Sequence, residues 1–150
     1  MSTYTKIVYQ LVFGSKDYTP FLTPSNKEIL FKYIAGILKN KSCHPYIVGG
    51  YENHLHIVFD LHPSLALADL IRDIKRSTSR MMKENKSEFR SFPGWQVGYG
   101  AFTYSYQSVE NLINYVSSQE AHHRKVTFKE ELINLCVQLG IPYDDKYLLI

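Results

Sequence analysis

The chain has 150 residues, 45% hydrophobic and 21% charged, enough to bury one core and too few for two ordinary domains, so a single domain over residues 1–150 is expected. A formal net charge of +3 and a pI near 8.8 permit a nucleic-acid partner without requiring one. No apolar run approaches a membrane span, the start MSTYTKIVYQ lacks the sections of a signal peptide, and Cys43 and Cys136 have neither disulfide nor zinc spacing, so the expectation is a protein of the reducing cytoplasm with no membrane partner.

The opening TKIVYQLVFGSK is rich in β-branched and aromatic residues and ends at Gly14, which predicts a strand and a loop. SNKEILFKYIAGILKN follows, with Ser25 and Glu28 spaced as a capping box and Ile29, Leu30, Tyr33, Ile34, Ile37 and Leu38 as a helical apolar stripe. HPYIVGGYE and HLHIVFD, joined with hardly any loop, predict an antiparallel hairpin over residues 44 to 60. SLALADLIRDIKRSTSRMMKEN returns to helical spacing, apolar at Leu67, Leu70, Ile71, Ile74 and Met81 and basic on the opposite side. WQVGYGAFTYS reads as a fourth strand and SVENLINYVSSQEAHHRK as a third long helix. A last helix is capped by Thr127 and Glu130 and stopped by Gly140 and Pro142.

This order predicts an α+β fold, a ferredoxin-like βαββαβ sandwich whose four-stranded antiparallel sheet carries two helices on one face, with additional C-terminal helices. The other sheet face is expected to be open for a site or a partner. Because such a fold hosts many functions, the side chains must decide.

In ENHLHIVFD, His54 and His56 are two apart on a strand and so project from one face, roughly 6 to 7 Å apart along the chain. Two imidazoles so placed can converge on a metal ion, or can be partly buried polar residues that share a face. Leu55, Ile57 and Phe59 would anchor the strand from its other face. On the third helix Val109, Leu112, Ile113 and Val116 form an apolar stripe, while Asn111, Tyr115, Gln119 and His122 gather on a polar flank. Tyr115 and Gln119 are four apart and hence neighbours on a helix.

The histidine–hydrophobic–histidine strand, followed some sixty residues later by a helix bearing Y-x-x-x-Q, resembles the HUH single-tyrosine transposases of the insertion sequence 200/605 kind. The similarity extends over ENHLHIVFD, IKRSTSR, WQVGYGAFTYS, NYVSSQEAHHRK with FKEE after it, and YDDKYLL, nearly the whole chain. It implies that Tyr115 is the nucleophile, that His54 and His56 bind a divalent metal, Mg²⁺ or Mn²⁺, and that Gln119 helps to complete that site. The implied reaction cleaves and rejoins single-stranded DNA at hairpin-bearing element ends through a 5′-phosphotyrosine and a free 3′ hydroxyl. The resemblance also implies a homodimer in which the tyrosine helix of one subunit completes the histidine pair of the other, although the sequence does not separate that arrangement from a site within one chain. His122, on the polar flank of Tyr115, is open to a role as a further ligand or a phosphate contact, but His122 and His123 together read as the solvated basic end of a helix and are left out of the metal site.

Arg72, Lys75, Arg76, Arg80 and Lys83 make a basic strip on the second helix, and Arg124 and Lys125 follow the third. Such a strip is either the wet face of an amphipathic helix or a phosphate-binding surface, and the resemblance implies DNA. A non-catalytic nucleic-acid-binding module would have no need of His54, His56, Tyr115 and Gln119 together, whereas a domesticated relative serving host DNA repeats would keep all four. A two-histidine phosphoesterase would need a second H-x-[ST] strand motif, and no such tripeptide is expected in the chain.

Overall fold

A computed structural model of the chain describes residues 2–123 and 125–148. Four strands, β1 (Val8–Gly14), β2 (His44–Tyr51), β3 (His54–Asp60) and β4 (Gly100–Tyr104), form one antiparallel sheet in the order β2-β3-β1-β4. The helices are α1 (Lys27–Asn40) and α2 (Leu67–Glu84), then α3 (Val109–Ser117), α4 (Gln119–His123) and α5 (Phe128–Gln138) after the last strand. The expected βαββαβ order and C-terminal helices are present.

Alternation along β3 sorts its side chains between two layers. Leu55, Ile57 and Phe59, with Leu11 and Phe13 of β1, join Leu30, Ile34 and Leu38 of α1 and Leu70, Ile71, Ile74 and Met82 of α2 in one apolar cluster. The opposite face is covered as well, which corrects the expectation of an open face. Val109, Leu112 and Val116 of α3 pack on Val8 and Val58, and Phe128, Leu132 and Leu135 of α5 pack on Val12 and Phe102. Gly49 permits this approach, since a Cβ there would lie 2.6 Å from Val116 Cγ1 and 3.2 Å from its carbonyl oxygen.

Three local expectations also change. The reciprocal cap before α1 joins Thr23 and Asn26 rather than Ser25 and Glu28: Thr23 N–H donates to Asn26 Oδ1 at 2.7 Å and Asn26 N–H to Thr23 Oγ1 at 3.2 Å. The fourth strand is shorter than WQVGYGAFTYS: Trp95 turns into the aromatic group of Phe13, Phe21 and Phe92 and makes only an isolated bridge with Ser15, and the continuous ladder with β1 is confined to Gly100–Tyr104. The third helix breaks at Ser118, whose hydroxyl bonds back to the carbonyls of Asn114 and Tyr115 at 3.0 and 3.1 Å and competes with the helical ladder. The cap at Thr127 forms as read, with its side chain accepting from Glu130 N–H.

Candidate metal and nucleophile centre

Between the two apolar patches under α3 and α5 lies a polar seam. His54 and His56 face it with ring centroids 5.3 Å apart, and they are 1% and 0% exposed. Gln119 starts α4, His123 ends it, and Glu131 comes from α5. The break at Ser118 resets the helix direction so that Gln119 turns inward and is buried.

The hydrogen bonds fix how each imidazole is held. His54 Nδ1 lies 2.9 Å from Asn53 Oδ1, His56 Nδ1 2.8 Å from Gln10 Oε1, and His123 Nδ1 2.7 Å from the Val126 carbonyl. The two amides are oriented by their own donations, Asn53 Nδ2 to the Tyr18 carbonyl and Gln10 Nε2 to the Tyr104 hydroxyl. Oxygens so oriented can only accept, so each Nδ1 carries the proton and each Nε2 presents a lone pair. All three Nε2 atoms point at Glu131 Oε1, at 3.5, 2.9 and 3.2 Å for His54, His56 and His123. Gln119 Oε1 faces two of them, 3.1 Å from His54 and 2.8 Å from His123.

Lone pairs of three nitrogens and two oxygens thus converge, with the imidazole protons turned outward, as in sites where an outer hydrogen bond orients a histidine ligand. The ligand atoms of His54, His56, His123 and Glu131 all lie within 4.8 Å of one another, and this donor set fits a divalent cation. Burial, aided by the charges of His56 and His123 and opposed by Glu131, pushes the His54 imidazole down to about 4, so at neutral pH it is uncharged. Burial alone would raise the Glu131 carboxyl, but the close imidazoles of His123, His54 and His56 outweigh it and hold Glu131 well below the usual carboxylate range.

Glu131 also reaches the nucleophile candidate. Tyr115 Oη donates to Glu131 Oε2, which accepts a second bond from Gln119 Nε2 at 3.1 Å, and the Tyr115 ring lies edge-on to His56 at 5.6 Å. Burial first and the Glu131 charge second raise the Tyr115 phenol far above its ordinary value, so it rests protonated. One carboxylate therefore contacts the imidazoles through one oxygen and the phenol through the other.

Sequence reading named His54, His56, Tyr115 and Gln119, and the fold brings these four together. It missed Glu131 and His123. His123 is not solvated, its side chain being 4% exposed and its ring stacked on Tyr51 at 5.9 Å. Glu131 was detectable as an acidic residue on the apolar stripe of Phe128, Leu132 and Leu135, where only a partnered charge is tolerated. The basic strip is elsewhere: α2 lies against the opposite sheet face. Arg72 pairs with Asp69 and Asp73, and Lys75 donates to the carbonyls of Gln96, Val97 and Gly98, while Arg76, Arg80 and Lys83 line a groove of about 920 Å³. Lys125 is exposed just past α4, and Arg124 lies outside the described residues. Contrary to expectation one H-x-S tripeptide is present, but it forms a turn beyond β3, with His62 Nδ1 2.7 Å from Ser64 Oγ.

A ferredoxin-like sheet with a histidine pair on an inner strand and a tyrosine held beside it is the framework of the HUH transposases. The model of the IS200-like transposase family matches residues 3–119, and the chain belongs to that family. No curated protein matches it. Among solved structures, a protein assigned as a transposase from Deinococcus radiodurans R1 is similar with a TM-score of 0.62 and 16% identity, over 79% of this chain and 95% of that one. A REP-associated tyrosine transposase bound to a REP hairpin is similar with a TM-score of 0.60 and 13% identity, over 98% of this chain and 88% of its own. Among the described residues no helix is long and apolar enough to cross a membrane.

Proposed function

We propose that this chain, acting as one unit over residues 1–150 in the cytoplasm, cleaves and rejoins single-stranded DNA at hairpin-bearing ends, with Tyr115 as nucleophile and a divalent cation held by His54, His56, Gln119, His123 and Glu131. The observation that carries the reading is the carboxylate of Glu131, shared between three outward-protonated imidazoles and the Tyr115 phenol. Three nitrogen donors suit Mn²⁺ or another transition ion better than Mg²⁺. When bound, the cation would act as a Lewis acid on a non-bridging phosphate oxygen.

The chain's own residues supply the rest. Glu131 and Gln119 fix the position of the Tyr115 oxygen, which shortens the search for the attacking geometry. The bond from Tyr115 Oη to phosphorus forms as the bond from phosphorus to O3′ breaks; the phenol releases its proton toward Glu131 Oε2 and the solvent beyond, and the departing 3′ oxygen takes one from solvent. The phosphotyrosine keeps the free energy of the broken phosphodiester, so a 3′ hydroxyl can reverse the step without ATP. Arg76, Arg80 and Lys83 are the candidates for backbone contacts away from the centre, where flanking duplex would lie. A repeat-associated role is the second reading, favoured by the near-complete overlap with the hairpin-bound REP transposase.

Tyr115 meets Glu131 of its own chain, which supports a centre assembled within one protomer; a homodimer that exchanges the tyrosine helix is the alternative. Labelled hairpin-bearing single strands incubated with Mn²⁺ should give a covalent adduct with the wild type and none with Tyr115→Phe. An adduct of equal yield with that variant would overturn the assignment. Mixing Tyr115→Phe with His54→Ala tests placement: no recovery is expected, and restored cleavage would mean that helices exchange between subunits.

A further inference from the structure

Four imidazoles surround Glu131, and one differs from the others. His54, His56 and His123 have both ring nitrogens engaged, whereas His122 Nε2 is buried and has no hydrogen-bond partner. It lies 3.2 Å from Glu131 Oε2 but outside hydrogen-bonding geometry, and its ring centroid is 5.4 Å from that of Tyr115. An unsatisfied buried nitrogen beside a nucleophile calls for an explanation, because leaving it unpaired forfeits its hydration without replacement.

The space beside it supplies one. A pocket of about 260 Å³ is lined by Gln10, Tyr104, Tyr115, His122, Asn134 and Gln138, with Glu131 at its base. It admits a phosphodiester and part of a sugar but not a duplex, and its walls combine these polar groups with Leu112 and Leu135, without a lysine or arginine among the described residues. A phosphate entering here meets the Tyr115 oxygen, and among the described residues of the pocket His122 is the one whose buried side-chain nitrogen lacks a partner and whose ring lies beside Tyr115. We propose that His122 is a further catalytic residue, whose Nε2–H binds a non-bridging oxygen of the scissile phosphate in this pocket. The role needs only the Nε2–H tautomer and no change of charge. It places His122 apart from the metal-facing set, as the group that holds the phosphate in line with Tyr115. The proposal rests on Tyr115 being the nucleophile.

The test compares wild type, Tyr115→Phe, His122→Ala and His122→Gln in single-turnover adduct formation at saturating single-stranded DNA with Mn²⁺. His122→Ala should slow the adduct by about 100-fold, the usual loss for one preorganised donor, with DNA affinity, Mn²⁺ affinity and melting temperature unchanged. His122→Gln, which retains an N–H, should recover part of the rate. A substrate carrying a phosphorothioate at the scissile position gives the discriminating readout: the wild type should prefer one diastereomer, and His122→Ala should lose part of that preference. His122→Ala reacting at the wild-type rate, keeping the full diastereomer preference, or losing Mn²⁺ affinity in step with rate would each overturn the proposal. If the wild type forms no adduct, the nucleophile assignment falls and this inference with it; if it does and only Tyr115→Phe is dead, the failure belongs to His122 alone.

Discussion

On one face of the sheet Leu55, Ile57 and Phe59 meet apolar side chains from α1 and α2; on the other, His54 and His56 from the same seven residues of β3 meet Gln119, His123 and Glu131. Both faces are buried, but for opposite reasons. The first gains from apolar area removed from water. The second would lose by burying polar groups, were each not partnered by another, and it is kept dry by the hydrophobic patches under α3 and α5 on either side. Stability and chemistry are thus divided between faces, and neighbouring residues should fail in different ways when changed.

The largest contrast is expected between adjacent positions 56 and 57. His56→Ala should lower cleavage and Mn²⁺ affinity by more than about 100-fold, since loss of an outer partner alone reaches 10–100-fold, with a smaller stability loss of about 1–3 kcal/mol from leaving Gln10 and Glu131 without their partner. Isothermal titration and adduct assays check this; a large fall in stability with metal binding intact would erase the distinction. Ile57→Ala should do the reverse, losing about 2–5 kcal/mol in denaturant unfolding while each folded molecule cleaves normally.

The polar face should also be the acid-sensitive one. The His54 imidazole sits at about 4 in the fold against about 6.5 unfolded, so the native state favours the neutral form. Its contribution is present above pH 6.5 and is lost as pH falls toward 4, on the order of 2 kcal/mol by pH 5. Metal-free protein melted from pH 7 to 5 should show this loss, and His54→Ala should flatten it. Unchanged slopes would remove His54 from the account. Gly49→Ala has the smallest expected effect, about 1–3 kcal/mol, because the new methyl must push back Val116 and lift α3. Because α3 carries Tyr115, adduct formation should fall with it, whereas melting alone would show that α3 tolerates the shift.

The sequence made the scaffold legible through period: two for the strands and 3.6 for the helices. His54 and His56 were readable because strand alternation alone assigns them a face, and Tyr115 with Gln119 because of the resemblance. Glu131 shows in the sequence only as an acid on an apolar stripe and His123 not at all, since their meeting depends on how α4 and α5 fold back over the sheet, a tertiary event that no local period encodes. The break at Ser118 escaped for a related reason: Ser117 and Ser118 are tolerable in a helix, and only the pull of Gln119 into the centre settles the matter. Thr23 won the cap over Ser25 because Asn26 also anchors to the Phe21 and Glu88 carbonyls, contacts distant from the helix itself.

The inner position of β3, between β2 and β1, has a consequence for folding errors. Its pairing is set twice, with His56 opposite Gly49 on one side and Val12 on the other. A slip of one residue would carry both imidazoles into the apolar core and drive Leu55, Ile57 and Phe59 into the polar seam. Misregistered chains should therefore be too unstable to persist, so a molecule that reaches the native sheet arrives with its histidines already aimed.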